Sequence, residues 1–351
     1  MRFYNNVVLM GYYGYSNLGD DLLFLTTLHI ISKNSNIKNV FVPAPKRLEH
    51  LRGLFPDNLN VRIIDRYNPF SVVSAINNSQ ITIFGGGNLF QDETSYRSFM
   101  YYYLTAKRTL SAGNFLLLLS QGFGPVNNPK NVQRLNKIVN SPLTFGLLRD
   151  KYSFQYASKK SKNFVLGVDY GPLFLIYNKG YPNQLKDNKM ATLVLKTGIR
   201  IEEIIKQLRS KGIERVFITG FQNHREKSLI TSSSLLAKKT GLEILENSNS
   251  WKEIVKNISR SQIVFTERLH GGLLSLFYGV PFVWLKGKKL DGVLSSTIDN
   301  YKLSYSPNSG DLEKLINRAL EIENLQTASE KYKSLLKETE QKAMIILKDI
   351  R

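Results

Sequence analysis

The feature that most constrains this chain is a rhythm. Short apolar or β-branched runs alternate with longer amphipathic stretches, and the pattern stops once and restarts. The first series is "NVVLMGYY" (6–13), "NVFVPA" (39–44), "VRIID" (61–65), "QITIFGGG" (80–87), "NFLLLLSQG" (114–122), "TFGLLRD" (144–150) and "NFVLGVD" (163–169). Segments such as Asp20–Ile31 and Ser95–Ser111 carry helical periodicity between them. Such alternation predicts a parallel sheet covered by helices on both faces, as do strands that are apolar almost throughout. After the polar stretch "YNKGYPNQLKDNK" (177–189) come "MATLVLK" (190–196), "ERVFITGF" (214–221), "LEIL" (242–245), "QIVFTERLH" (262–270) and "PFVWL" (281–285). The expected architecture is α/β: two Rossmann-like parallel-sheet domains facing a cleft, over 1–178 and 186–310, followed by a helical tail over 311–351. Open parallel sheets bind ligands beyond the carboxyl ends of their strands, so strand-end residues are the candidates for function.

Composition narrows the class. No run approaches the ~18 apolar residues of a membrane span; the longest, Leu273–Leu285, is broken by Ser275, Gly279 and Pro281. The N-terminus reads as a first strand and not as a signal peptide, so a cytoplasmic setting is expected. Cysteine is absent, which excludes disulfides and thiolate metal sites. There is no HExxH and no histidine pair at ligand spacing, so no metal and no cofactor is expected. Lysine and arginine number 48 against 28 acids, a formal charge of +20 that favours anionic partners. The basic residues are scattered and no nucleic-acid motif is present, so nucleic acid is not expected as a partner.

Four strand ends carry chemistry. In "GYYGYSNLGDDLL" (11–23), Gly11 and Gly14 allow a tight turn, Ser16 or Asn17 can cap a helix, and Asp20 and Asp21 fall in its first turn. Next, Gly85, Gly86 and Gly87 end one strand, and Gly122 and Gly124 end another, which permits close approach of a ligand or a second backbone. Asn88, Gln91, Asp92 and Gln121 add amides and a carboxylate there, a set that suits a polyhydroxyl ligand. Tyr96, Tyr101, Tyr102 and Tyr103 partly follow helical spacing and read mainly as packing residues. In "LLRDKYS" (147–153), Arg149 either grips an anion or pairs locally with Asp150. Finally, "FTERLHGGLLSLFYGVPFVWL" (265–285) places Arg268 and His270 where a strand meets a helix opened by Gly271 and Gly272, a set suited to phosphate or carboxylate.

Taken in order, "GYYGYSNLGDD", "GGGNLFQDETS" with "YYY" and "SQGFGP", "LLRDKYS" and "ERLHGGLLSLFYGVP" resemble the polysaccharide pyruvyl transferase family, nearest its cell-surface polysaccharide type. The resemblance implies a fold like that of GT-B glycosyltransferases and transfer of pyruvate from phosphoenolpyruvate to a sugar as a ketal, with release of phosphate. It implies Arg149, Arg268, His270, Gly271 and Lys289 at the donor, with Lys288 a near rival because "KGKK" departs from the family's usual segment. "VLKTG" (194–198) also departs, having Lys196 near where the family shows an arginine. His270, Arg268, Asp20 and Asp92 are the expected catalytic residues. Gly14, Asn17, Asp20, Gly86, Gly87, Asn88 and Gln121 are expected to hold the acceptor, a sugar or glycan that is free, nucleotide-linked or lipid-linked. Peripheral contact with an anionic membrane would follow from the charge, with Lys107, Arg108, Lys159, Lys160, Lys238 and Lys239 as contributors. Two other readings compete: a GT-B glycosyltransferase using a nucleotide-sugar, and a non-catalytic binder of anionic glycan or polyanion. Glu267, the only carboxylate between Ser261 and Lys289, counts against the former.

Overall fold

Every apolar run of the first series is a strand: β1 (Asn6–Met10), β2 (Asn39–Pro43), β3 (Asn60–Ile64), β4 (Ile81–Phe90), β5 (Phe115–Phe123), β6 (Thr144–Leu148) and β7 (Phe164–Leu166). They form one parallel sheet in the order β3-β2-β1-β4-β5-β6-β7. The second series gives β8 (Asp187–Leu195), β9 (Arg215–Gly220), β10 (Glu243–Ile244), β11 (Ser261–Thr266) and β12 (Phe282–Leu285). A two-residue strand, β13 (Ser304–Tyr305), completes a second parallel sheet in the order β10-β9-β8-β11-β12-β13. The computed structural model describes residues 5–178, 185–247, 250–298, 303–308, 311–322 and 325–350.

The chain divides into two units. The first comprises Met1–Tyr15, Asp20–Tyr177 and Leu335–Arg351; the second comprises Ser16–Gly19 and Asn178–Ser334. Helices of the first unit are α1 (Leu18–Ser32, its first two residues counted with the second unit), α2 (Pro69–Asn77), α3 (Tyr96–Ser111), α4 (Pro129–Val139), α5 (Lys151–Ser158) and α6 (Leu173–Tyr177). Those of the second are α7 (Ile201–Ser210), α8 (Asn223–Lys239), α9 (Trp251–Arg260), α10 (Leu269–Phe277), α11 (Lys288–Thr297) and α12 (Leu312–Glu321). The last helix, α13 (Gln326–Asp349), is shared: its start counts with the second unit and Leu335 onward with the first. The stretch expected as a separate helical tail is therefore divided between the two units, and part of the expected linker, 179–184, lies outside the described residues.

Local chemistry sets the helix starts. Asn68 and Asn128 accept from backbone amides ahead of Pro69 and Pro129, while Ser95 and Asp150 cap α3 and α5. The core of the first unit follows from strands buried on both faces: Phe84, Phe90, Leu116 and Leu118 pack with Phe99 and Tyr102 of α3. Where β5 meets β6 the register shifts between Leu119 and Gln121, and the intervening Ser120 is left-handed at φ 53°. Its buried hydroxyl donates to the Val168 carbonyl at 3.3 Å and accepts from the Tyr170 amide at 3.2 Å.

The glycine run at the end of β4 is shaped by its own unit. The Tyr13 hydroxyl donates to the Gly85 carbonyl at 2.8 Å, and a Cβ at Gly85 would lie 2.4 Å from that hydroxyl oxygen and 2.7 Å from Thr27 Oγ1. Gly86, at φ 90°, leaves room for Leu23. Gly85→Ala should therefore destabilise the protein by ~1–3 kcal/mol in urea titration, the usual cost of overpacking. The cost should shrink in a Tyr13→Phe background, where the nearest clashing atom is gone; equal cost in both backgrounds would show that Tyr13 does not set the limit.

Candidate functional site

In each sheet the strand order reverses once, between β1 and β4 and between β8 and β11. Adjacent loops diverge there and leave a crevice at the carboxyl ends of the strands. Most sequence-predicted residues fall on these loops or on the strand and helix ends that border them.

In the first unit, Asp20 and Asp21 open α1 after the β1 loop. Asp20 Oδ1 lies 3.9 Å from where a Cβ on Gly87 would stand, so Gly87 borders this carboxylate. Asp21, which sequence reasoning left as a helix-start acid, is 8% exposed with its Oδ1 buried and unpaired. Burial, and then the charge of Asp20, push its carboxyl up to about 7, against a lowering donation from the Gly14 amide. Gly14 itself is left-handed at φ 76°, and its carbonyl accepts from Arg47. Gln121 is buried: its amide donates to the Gly86 carbonyl at 2.6 Å, and its Oε1 is unpaired. Asn88 donates to the Gly124 carbonyl, and its Oδ1 is likewise unpaired.

Two expected residues are occupied within the fold. Asp92 accepts from the amides of Asn127 at 2.7 Å and Asn128 at 3.0 Å and from the Asn131 side chain at 2.8 Å. Burial raises its carboxyl, but these donors outweigh it and leave the group below its ordinary range. Asp92 thus clamps the turn leading into α4. Arg149 is 1% exposed, and its Nη1 donates to Asp169 Oδ2 at 2.7 Å, with Asp169 fully buried. Asp150 is not its partner, because that carboxylate accepts from the Ser153 amide and hydroxyl at the start of α5. A Cβ at Gly122 would lie 3.0 Å from Arg149 Nε, so the second glycine-ended strand makes room for this guanidinium.

In the second unit, Glu267 is 5% exposed at the end of β11. Its carboxylate accepts from the amides of Lys196 and Thr197, of Gly198 at 3.0 Å and of Ile199 at 2.9 Å, and from the Thr197 hydroxyl at 3.1 Å. This joins the two loops at the reversal. Arg268 follows and forms an ion pair with Glu226 of α8, which is 3% exposed and also accepts from the Gln222 amide. Thr266 Oγ1 receives the Arg268 amide at 3.0 Å and donates to its carbonyl at 2.7 Å, turning the chain from strand into α10. His270 lies in the first turn of that helix; a Cβ at Gly19 would stand 2.0 Å from its Nδ1, so only glycine at 19 leaves space for the imidazole. Asn17 forms a bridge with Gln222, and the Leu18 amide donates to the Phe221 carbonyl at 3.3 Å. Gly271 packs its bare Cα against Thr266. Lys288 and Lys289 begin α11, and their side chains lie outside the described residues.

Residues 17–288 match the family model described as polysaccharide pyruvyl transferase. The chain belongs to this family. No curated protein sequence matches it. Among solved structures it resembles a glycosyltransferase from Rickettsia africae (13% identity, 99% of this chain and 100% of that one, TM-score 0.59). It also resembles the UDP-GlcNAc 2-epimerase of Neisseria meningitidis bound to UDP-GlcNAc (12%, 96% and 100%, TM-score 0.62) and the MurG of Acinetobacter baumannii (10%, 99% and 100%, TM-score 0.60). At these identities the likeness shows the fold alone, two parallel-sheet α/β units of GT-B type with a helical C-terminal region. Among the described residues no helix is long and apolar enough to cross a membrane, and no group of three His, Asp or Glu could hold a metal ion.

Asp21 gives this pyruvyl transferase family member a pH signature. A folded carboxyl raised from 3.8 to about 7 contributes its stability in the protonated form, fully present below pH 4 and lost as pH rises through 7. Asp21→Asn should therefore raise the melting temperature relative to the parent by a margin that grows between pH 4 and 7 and is flat above, worth on the order of a few kcal/mol. A margin independent of pH would show that Asp21 does not titrate in that window.

Proposed function

We propose that the protein transfers the pyruvyl group of phosphoenolpyruvate to two hydroxyls of one sugar, forming a cyclic ketal and releasing phosphate. Family membership supplies the reaction class, and the β8/β11 reversal supplies the observation that carries the donor side: Arg268, His270 and the N-terminus of α10 sit at one strand end. Phosphoenolpyruvate brings a carboxylate and a phosphate, and a guanidinium beside a helix N-terminus is complementary to either. Glu226 fixes the direction of Arg268 through its Nη2.

The steps balance without a cofactor. A proton adds to the methylene carbon, and a sugar hydroxyl bonds to the adjacent carbon. The bond from that carbon to the phosphate oxygen breaks, and the second hydroxyl closes the ring. The two hydroxyls release two protons: one replaces that given to the methylene carbon and the other leaves with phosphate. On this reading His270 delivers the proton, and Arg268, Gly271 and Lys289 bind the donor, the cations stabilising the leaving phosphate. Asp20 receives a hydroxyl proton, and Asp21 can hold one at working pH. The acceptor sugar rests on Gly14, Asn17, Gly86, Gly87, Asn88 and Gln121. Arg149 and Asp92 act by holding the strand end and the turn. Charge of +20 supports peripheral contact with anionic lipid if the acceptor is lipid-linked.

The glycosyltransferase reading lacks a carboxylate for the nucleotide-sugar, since Glu267 is already bound by its own backbone. Acceptor-dependent phosphate release from phosphoenolpyruvate is the deciding assay; its absence with a pyruvylatable glycan removes the proposal. Arg268→Ala should weaken phosphoenolpyruvate binding by ~1.5–3 kcal/mol, the range for hydrogen bonds to a charged group, and Arg268→Lys should recover only part. Unchanged affinity in Arg268→Ala would place the donor elsewhere.

A further inference from the structure

We propose that the first unit recognises a phosphoryl group on its saccharide ligand, through Arg66 with the hydroxyls of Tyr101 and Tyr102. The proposal rests on the reading that this unit takes the acceptor, and it narrows the acceptor to a phosphorylated saccharide. Arg66 lies just beyond the carboxyl end of β3. Its guanidinium carbon stands 4.7 Å from the ring centre of Tyr101, 5.4 Å from that of Tyr15 and 5.8 Å from that of Tyr67. Among the described residues no carboxylate forms an ion pair with it, and its Nη1 is buried without a hydrogen-bond partner. The Tyr101 hydroxyl is likewise buried and unsatisfied, while that of Tyr102, only 1% exposed, faces the Arg66 guanidinium itself in a contact too poorly aligned to satisfy it and has no other partner.

Unmet donors on Arg66 and Tyr101, around a cation with no carboxylate partner among the described residues, are costly unless something completes them. Cation–π contact offsets part of that cost, but a ring face accepts no directed hydrogen bond in the manner of an oxygen. A neutral ligand would leave the charge unpaired. A phosphoryl group supplies both the counter-charge and oxygens for several donors at once. The surroundings extend the match. Tyr12 and Tyr15 stack at 4.3 Å with 11° between their planes, offering an aromatic face for the apolar side of a sugar. Tyr15 and Tyr67 join their hydroxyls at 2.7 Å. The charge of Asp20 reaches Tyr102 as a minor contribution that raises its hydroxyl.

Isothermal titration on the full chain tests this, with inorganic pyrophosphate, glucose 1-phosphate and free glucose as probes. A phosphorylated probe should bind more tightly than glucose, and Arg66→Gln should weaken it by about tenfold or more, as loss of a charged hydrogen bond implies. Tyr101→Phe and Tyr102→Phe should weaken it by smaller factors while the far-ultraviolet spectrum is unchanged; they and Arg66→Lys decide the matter if Arg66→Gln does not fold. Parallel titrations with UDP-N-acetylglucosamine and with a polyprenyl diphosphate-linked N-acetylglucosamine in detergent identify which source of phosphate is taken, the tighter naming it. Phosphorylated probes bound no better than glucose, or bound equally by parent and by all four variants, would overturn the proposal. Binding is read without phosphoenolpyruvate, so Arg66-dependent binding with no pyruvyl transfer would leave this inference standing and remove the previous one.

Discussion

The second unit depends on a buried carboxylate meeting its own backbone. Glu267 stands at the reversal of strand order and gathers the amides of the facing loop, Lys196 to Ile199. A buried charge is tolerable only when its oxygens are saturated, and here several donors converge on them. The consequence is positional. With residue 267 fixed, Arg268 and His270 leave the strand in a set direction, and Thr266 completes the turn into α10. The same arrangement fills with protein a set of backbone amides that would otherwise attract an anion. On the proposed reading, donor binding is left to the side chains that follow.

The first unit uses opposite charges for the same end. Arg149 and Asp169 are twenty residues apart and fully interior, and each would be destabilising alone. Together they tie the end of β6 to the segment after β7, with Gly122 of β5 yielding the necessary space. Tyr13 performs a parallel service on the other side of β4. These contacts make a rigid floor, above which Asp20, Asp21 and Gly87 can be presented.

Much of this was legible in the sequence. Every strand of the first sheet, and all but one of the second, announced itself as an apolar run, because strands buried on both faces have no polar side to obscure the signal. The two-residue β13 had too little sequence to show periodicity. Glycines were legible as close approaches, but not what approaches: Tyr13 and Leu23 fill the space at 85 and 86, and those partners arrive from the loop after β1 and from α1. Arg149 beside Asp150 invited a local pair, yet Asp150 caps its own helix and the arginine pairs with Asp169. Asp20 and Asp21 look equivalent in the chain; only burial separates them. Arg66 belongs to no motif, and apart from Tyr67 its tyrosine neighbours come from distant segments, so the cluster exists only after folding.

Ser120 sets a lower bound on the value of one hydroxyl. A left-handed backbone costs a residue with a side chain ~1 kcal/mol or more relative to glycine. Glycine would relieve that strain at 120 but would abandon the link from strand β5 to the Val168 carbonyl and Tyr170 amide. A serine there is consistent with a link stronger than the strain it imposes. The same link ties the strand carrying Gln121 to the segment carrying Asp169, so a locally unfavourable torsion acts as a fastener between two distant parts of the chain.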